Sequence, residues 1–159
     1  MQLLYDRLYR SGGNLSRVNL AGYIHDLVDN LFTAYNVKSD RIQLINQIPP
    51  VELNISQTVP LGLIVNELIS NALKHAFPSD GSGTLRIAFL REEGANFWTL
   101  RVADDGVGLP AEFDPWQSTG FGFQLVSLLV SQLGGTIETR REGGTSFTIT
   151  LPIQGEEER

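Results

Sequence analysis

The sequence predicts an α+β domain. Three stretches carry apolar residues at helical spacing, and the segments after each of them read as strands that come in adjacent pairs. With 159 residues, 42% of them hydrophobic, the chain is long enough for one domain with a core of its own.

Taken in order, Met1 to Arg10 is a short amphipathic stretch ending at Ser11-Gly12-Gly13, too brief to persist as an isolated helix. It reads as the tail of a helix that belongs to something longer. Leu20 to Tyr35 places Leu20, Ile24, Leu27, Val28, Leu31 and Phe32 on one face, and Asn36 stands where such a helix would end. Arg41 to Ile48 and Val51 to Ile55 read as two short strands forming a hairpin-like pair around Pro49-Pro50. Thr58 to Ala76 is the strongest helix, with Pro60 expected in its first turn and Phe77-Pro78 closing it. Thr84 to Arg91 and Phe97 to Ala103 alternate apolar and polar residues across Glu92 to Asn96 and read as an antiparallel pair. Between Gly106 and Gly122 no periodicity survives, and Pro110 and Pro115 mark a loop. Gly122 to Leu133 resumes helical spacing, Gly134-Gly135 caps it, and Thr136 to Arg141 and Ser146 to Ile153 form the last strands around Gly143-Gly144. The Glu-rich tail after Gln154 is expected to fray.

Composition removes several function classes. A net charge of −6 argues against a sequence-independent grip on nucleic acid, which needs a field of Lys and Arg. Binding of an anion would therefore be local. The absence of Cys excludes disulfides and thiolate ligation, and the two His without an HExxH pattern leave little for a zinc site. No apolar run approaches the ~18 residues of a membrane span, and the start lacks the basic-then-apolar pattern of a secretion signal, so a cytoplasmic domain or a piece of a larger protein is expected.

The chemistry concentrates on the strongest helix. At about 100° per residue, Glu67, Asn71, Lys74 and His75 share one arc beside the apolar face formed by Leu61, Ile64, Val65, Leu68, Ile69, Ala72 and Ala76. A nucleotide-bound Mg²⁺ keeps several waters and asks a protein for only one or two oxygens, which an Asn carbonyl supplies without adding charge. Asn71 suits that need. Lys74 can act as a point charge on phosphate oxygens, and Glu67 can order or deprotonate a water or hydroxyl. The plain alternative is an amphipathic helix whose solvated face holds these residues, with Glu67 and Asn71 as an ordinary i,i+4 pair.

A second string, Asp104-Asp105-Gly106-Val107-Gly108, follows a strand. Its glycines let the backbone pass close to a flat ligand, and a carboxylate there can accept the exocyclic amino group of adenine, a donor that guanine lacks at that edge. Ordinary Asp-Asp-Gly turn chemistry is the alternative. Gly106 to Ala111 also satisfies the dinucleotide pattern GxGxxG/A, but that motif must open a helix, and Pro110 and Pro115 follow instead. A P-loop GxxxxGK[ST] is missing altogether. A third cluster, Gly120-Phe121-Gly122-Phe123-Gln124-Leu125, leads into a helix whose first N–H groups can cradle phosphates, unless it is only loop glycine and helix punctuation. The fourth, Gly143-Gly144-Thr145, is compatible with a simple hairpin turn.

The order and spacing of these clusters decide between such readings. The run Pro60 to Pro78, containing Asn66-Glu67-Leu68-Ile69-Ser70-Asn71-Ala72-Leu73-Lys74-His75, followed by Asp104-Asp105-Gly106-Val107-Gly108, Gly120 to Leu125 and Gly144-Thr145, resembles the N, G1, G2 and G3 boxes of sensor histidine kinases. These belong to the GHKL ATPases, together with gyrase B, the heat-shock chaperone ATPase and MutL. The resemblance covers about Leu20 to Pro152 and is most similar to the subgroup with the second class of dimerisation and phosphoacceptor helices. It implies a Bergerat fold, a two-layer α/β sandwich whose mixed sheet is covered on one face by helices, with ATP held between the helices and a short lid from Pro110 to Thr119.

Carried over residue by residue, the resemblance implies that Asn71 is the Mg²⁺ ligand and that Lys74 and His75 contact phosphate. Glu67 stands near the γ-phosphate, where relatives carry a polar or acidic residue. Asp104 corresponds to the adenine-binding aspartate, Gly106 and Gly108 to its backbone companions, Gly120 and Gly122 to lid hinges, and Thr145 to the last box. Phe123 departs from the Leu usual in the second glycine box, and no separate phenylalanine box is clear, although Phe113, Trp116 and Phe121 are available.

The chain is then expected to be the catalytic, ATP-binding half of a kinase over residues 14–154, with 1–13 the remnant of a dimerisation helix and 155–159 a frayed acidic tail. Its partners would be the phosphoacceptor helices of the same kinase and then a response regulator. His25-Asp26 superficially resembles a phosphoacceptor but lies too near Asn71 in sequence for the family's arrangement. An anti-sigma-factor-type GHKL serine kinase and a non-catalytic nucleotide-binding module are the alternatives.

Overall fold

The computed structural model describes residues 17–38, 40–77, 81–108 and 121–153. The expected helix remnant over 1–13, the tail over 155–159, the lid from Pro110 to Thr119, and Gly120 lie outside the described residues.

Among these residues the chain runs β1 (Arg17–Asn19), α1 (Leu20–Ala34), β2 (Ile42–Gln47), β3 (Glu52–Asn54), α2 (Ile55–His75), β4 (Gly83–Leu90), β5 (Phe97–Asp104), α3 (Phe121–Gln132), β6 (Thr136–Arg140) and β7 (Thr145–Pro152). The five-stranded sheet has the order β2-β4-β5-β7-β6, and β1 and β3 form a separate antiparallel pair. Only β2 and β4 run parallel within the large sheet, so the sheet is mixed.

Strand alternation builds a one-sided core. Leu85, Ile87 and Phe89 on β4, Leu100 and Val102 on β5, and Phe147, Ile149 and Leu151 on β7 are buried, whereas Arg86 and Arg101 between them are exposed. The buried row joins one cluster with Tyr23, Ile24 and Val28 of α1, Ile64, Val65, Leu68 and Ile69 of α2, and Val126, Leu129 and Val130 of α3. Helices thus cover one face, as the sequence predicts. Helix α2 lies between α1 and α3 and packs on both. Within the core the rings of Phe89 and Trp98 stack with centroids 4.5 Å apart.

The helix ends follow local chemistry. Asn19 caps α1, its Oδ1 accepting the Gly22 N–H at 3.2 Å. At the other end Asn36 takes φ 56, its N–H donates to the Thr33 carbonyl at 3.1 Å, and the Val37 N–H donates to the Phe32 carbonyl at 2.9 Å. That pair is a Schellman motif, in which Asn tolerates the left-handed conformation better than most residues. The Gly134-Gly135 stop of α3 repeats the pattern, with N–H donation to Ser131 at 3.0 Å and Val130 at 2.9 Å.

Three features depart from the sequence reading. The hairpin-like pair expected from Arg41–Ile48 and Val51–Ile55 does not form: β2 pairs parallel with β4, and β3 pairs antiparallel with β1 in the register Val18↔Leu53. The prolines at 49 and 50 supply no N–H to extend a ladder, and α2 provides the crossover that a parallel β2–β4 pair requires. Strand β1, three residues long with one buried side chain, carries too little pattern to be seen in the sequence. Helix α2 begins at Ile55, earlier than expected, which places Pro60 inside the helix rather than in its first turn. The Thr58 hydroxyl donates to the Asn54 carbonyl at 2.9 Å in that opening turn.

Candidate functional site

The C-terminal half of α2, the end of β5 and the start of β7 converge on an open cleft lined by Leu68, Asn71, Ala72, His75, Ala76, Asp104, Gly108, Thr145 and Phe147. Five residues singled out in the sequence, Asn71, His75, Asp104, Gly108 and Thr145, therefore meet in one place. They come from three separate segments. Sheet register accounts for one of the pairings, because Asp104 and Thr145 are Cα partners across β5 and β7. Helix α2 supplies the facing wall, since Asn71 and His75 are one turn apart and Leu68 and Ala72 anchor that turn in the core.

Asp104 forms the polar floor. Its Oδ1 accepts the Gly106 N–H at 2.9 Å, and the Thr145 N–H also bonds the carboxylate. Burial pushes its pKa above 3.8, and the neighbouring Asp105 charge adds to the rise, while the two backbone N–H groups act in the opposite direction. The adjoining Asp105 plays a structural part, because its Oδ1 accepts the Thr84 N–H at 2.7 Å and ties the turn to β4. The turn reading of the Asp-Asp-Gly string thus describes Asp105, while Asp104 lines the cleft.

The cleft's shape depends on close backbone approach. The Val107 N–H donates to the Ala76 carbonyl at 2.8 Å, joining the turn after β5 to the end of α2. A Cβ at Gly106 would overlap that same Ala76 carbonyl, and one at Gly144, where φ is 122, would overlap the carbonyl of Asp104. Gly106 therefore serves contact within the protein, whereas Gly108 faces the cleft.

Glu67 and Lys74 stand off this cleft. The half-buried Glu67 points to the first turn of α3, where a Cβ on Gly122 would lie 3.3 Å from Glu67 Oε2. The exposed Lys74 holds its Nζ 6.0 Å from the centroid of the Tyr35 ring. Phe123, the departure from the family's second glycine box, is buried, with its ring centroid 5.9 Å from that of the cleft residue Phe147. Sequence reasoning missed the Tyr35–Ser70 pair, whose hydroxyls lie 2.6 Å apart. A Ser on the core side of a helix demands a partner, but nothing in the sequence says which residue provides it. Among the described residues no group of His, Asp and Glu is assembled to hold a metal by itself.

The profile of the histidine kinase-, DNA gyrase B- and HSP90-like ATPases matches residues 56–155, a span that contains every residue lining the cleft. The chain belongs to this family. The sensor histidine kinase PdtaS of Mycobacterium tuberculosis is 32% identical over 139 residues, covering 82% of this chain and 27% of that protein. The blue-light-activated histidine kinase 2 of Erythrobacter litoralis is 32% identical over 150 residues, covering 93% of this chain and 40% of that protein. This histidine kinase-type ATPase domain thus spans less than half the length of either relative. In three dimensions it superposes on the histidine kinase domain of the Erythrobacter litoralis EL346 blue-light-activated kinase with a TM-score of 0.85 and 25% identity, over 99% of this chain and 73% of the other. The catalytic domain of histidine kinase ThkA, at 19% identity and a TM-score of 0.64, shares the fold. The mixed sheet with helices on one face is therefore the architecture of histidine kinase ATPase domains.

Proposed function

We propose that this chain is the catalytic, ATP-binding domain of a two-component sensor histidine kinase. It binds Mg-ATP and donates the γ-phosphoryl group to a His on dimerisation helices outside this chain, from which a response regulator takes it. The observation that carries the reading is the half-buried Asp104 carboxylate on the cleft floor, held by backbone N–H donors and facing Asn71 and His75 of α2. A carboxylate so held accepts the adenine amino group, and the apolar side chains of Leu68, Ala72 and Phe147 line the space for a flat ring.

Asn71, half-buried on the same wall, offers one neutral oxygen to Mg²⁺, an ion that takes most of its ligands from phosphate and water. When bound, the ion screens phosphate charge and fixes its geometry. On this reading His75 and Lys74, which share an arc of α2, contact the phosphate chain, Lys74 where the chain leaves the cleft. Glu67 of α2, whose carboxylate lies against Gly122 in the first turn of α3, orients or deprotonates the accepting group in this reading. Phosphoryl transfer leaves little covalent chemistry to the protein, so positioning and charge neutralisation supply most of the rate.

Among the described residues no helix is long and apolar enough to cross a membrane. The test is incubation with γ-³²P-ATP and the dimerisation helices of the parent kinase. An acid-labile, alkali-stable label on a His of those helices is expected. An acid-stable label on a Ser of a partner protein would favour the serine kinase alternative, and no transfer with ATP bound would favour a nucleotide-binding module.

A further inference from the structure

Tyr35 has no part in the function proposed above, yet the fold fixes it firmly beside the site. It is the C-cap residue that follows α1, before the left-handed Asn36, and the Schellman pair of hydrogen bonds from Asn36 and Val37 holds the backbone there. Its far end is held as well. The Tyr35 hydroxyl lies 2.6 Å from the hydroxyl of Ser70, which is only 7% exposed. Ser70 immediately precedes Asn71 on α2, and Lys74 lies one turn further on, with its Nζ 6.0 Å from the centroid of the Tyr35 ring. The ring is thus a platform braced at both ends, and the ammonium rests over it.

We propose that Tyr35 is a positioning residue for Lys74, its ring holding the ammonium at the α1 flank of the cleft where Lys74 meets the phosphate chain of a bound nucleotide. The inference rests on the reading of Lys74 as a phosphate contact. A lysine on an exposed helix face samples many rotamers, and that freedom is lost when it engages a phosphate. An aromatic face attracts the ammonium without consuming all of its donors, so N–H groups on the far side stay available to phosphate oxygens. The ordering is then done before the ligand arrives. A nucleoside without phosphates gains nothing from it.

The test compares ATP with adenosine by calorimetric titration of the wild type, Tyr35→Phe, Tyr35→Leu, Lys74→Met and the Tyr35→Leu/Lys74→Met double variant. Tyr35→Leu is expected to weaken ATP roughly 2- to 5-fold, the size of an exposed cation–π contact, and to leave adenosine unchanged. Tyr35→Phe keeps the ring and should keep the ATP-to-adenosine ratio, even though the lost bond to Ser70 lowers the melting temperature. In the Lys74→Met background, Tyr35→Leu should have no further effect on the ratio. A wild-type or higher ratio in Tyr35→Leu, with a lowered ratio in Lys74→Met, overturns the positioning role. An unchanged ratio in Lys74→Met removes Lys74 from the phosphate path and overturns both readings at that residue.

Discussion

Replacing Asp104 with Asn tests the adenine reading where the structure is most explicit. In the wild type Oδ1 accepts the Gly106 N–H at 2.9 Å, and the carboxylate also takes the Thr145 N–H. An Asn keeps one of its polar atoms as the acceptor for these donors and turns an NH₂ where the carboxylate turned its other oxygen. That NH₂ then confronts the adenine amino group, donor against donor. A hydrogen bond to a charged group contributes about 1.5–3 kcal/mol, so ATP affinity should fall roughly 10- to 150-fold. Guanine presents a carbonyl at that edge, so the preference for ATP over GTP should narrow or reverse. Calorimetric titration with both nucleotides measures this, and a thermal melt shows that the fold survives. Removal of a half-buried charge costs the nucleotide-free protein nothing, so its melting temperature at neutral pH should equal or exceed that of the wild type. An Asp104→Asn variant that binds ATP within about 2-fold of the wild type would refute the reasoning, since that change corresponds to only about 0.4 kcal/mol.

Three further outcomes follow from the same geometry. Asn71→Asp should leave adenosine binding intact while weakening Mg-ATP about 10-fold or more, because it places a second negative charge beside the phosphates; titration with and without Mg²⁺ reads the difference. Gly144→Ala forces a side chain against the Asp104 carbonyl at a φ of 122 and should cost on the order of 1–3 kcal/mol of stability, seen in a denaturant melt. Since burial raises the Asp104 pKa above 3.8, its contribution to stability is present below 3.8 and is lost as pH rises through the raised value. On the proposed function ATP binding uses the ionised form and should run the other way, falling on acidification at a higher pH than an ordinary Asp would set, a pH series of titrations being the check.

How far the sequence reveals the molecule depends on the range of the interaction. Helices α1, α2 and α3 are legible because one face of each is buried, and burial on one face writes a 3.6-residue period. The β4–β5 and β6–β7 pairs are legible for the corresponding reason at period two. The partners of β2 and β3 are not, because whether a short strand pairs with its neighbour or with a distant one depends on where α2 returns the chain. Pro60 shows how a local rule misleads: tertiary packing carries α2 through a residue that the sequence alone assigns to a helix start. At the site, Asp104, Asn71, His75 and Thr145 could be singled out because their short strings, each ordinary on its own, follow one another in a distinctive order and spacing. The Tyr35–Ser70 pair could not, since the two hydroxyls meet across 35 positions and nothing in the string around Ser70 points to Tyr35. The part of Asp105, whose side chain holds β4, also required coordinates, because nothing in the string itself says which backbone N–H it meets.

The most direct measurement is calorimetric titration of the unmodified chain with ATP and GTP, each with and without Mg²⁺. Adenine-selective binding that Mg²⁺ tightens is predicted, because the proposed function has Asp104 read the base and Asn71 supply an oxygen to the ion. Equal affinity for ATP and GTP, or no binding of ATP at all, would contradict the assignment of this cleft as the nucleotide site.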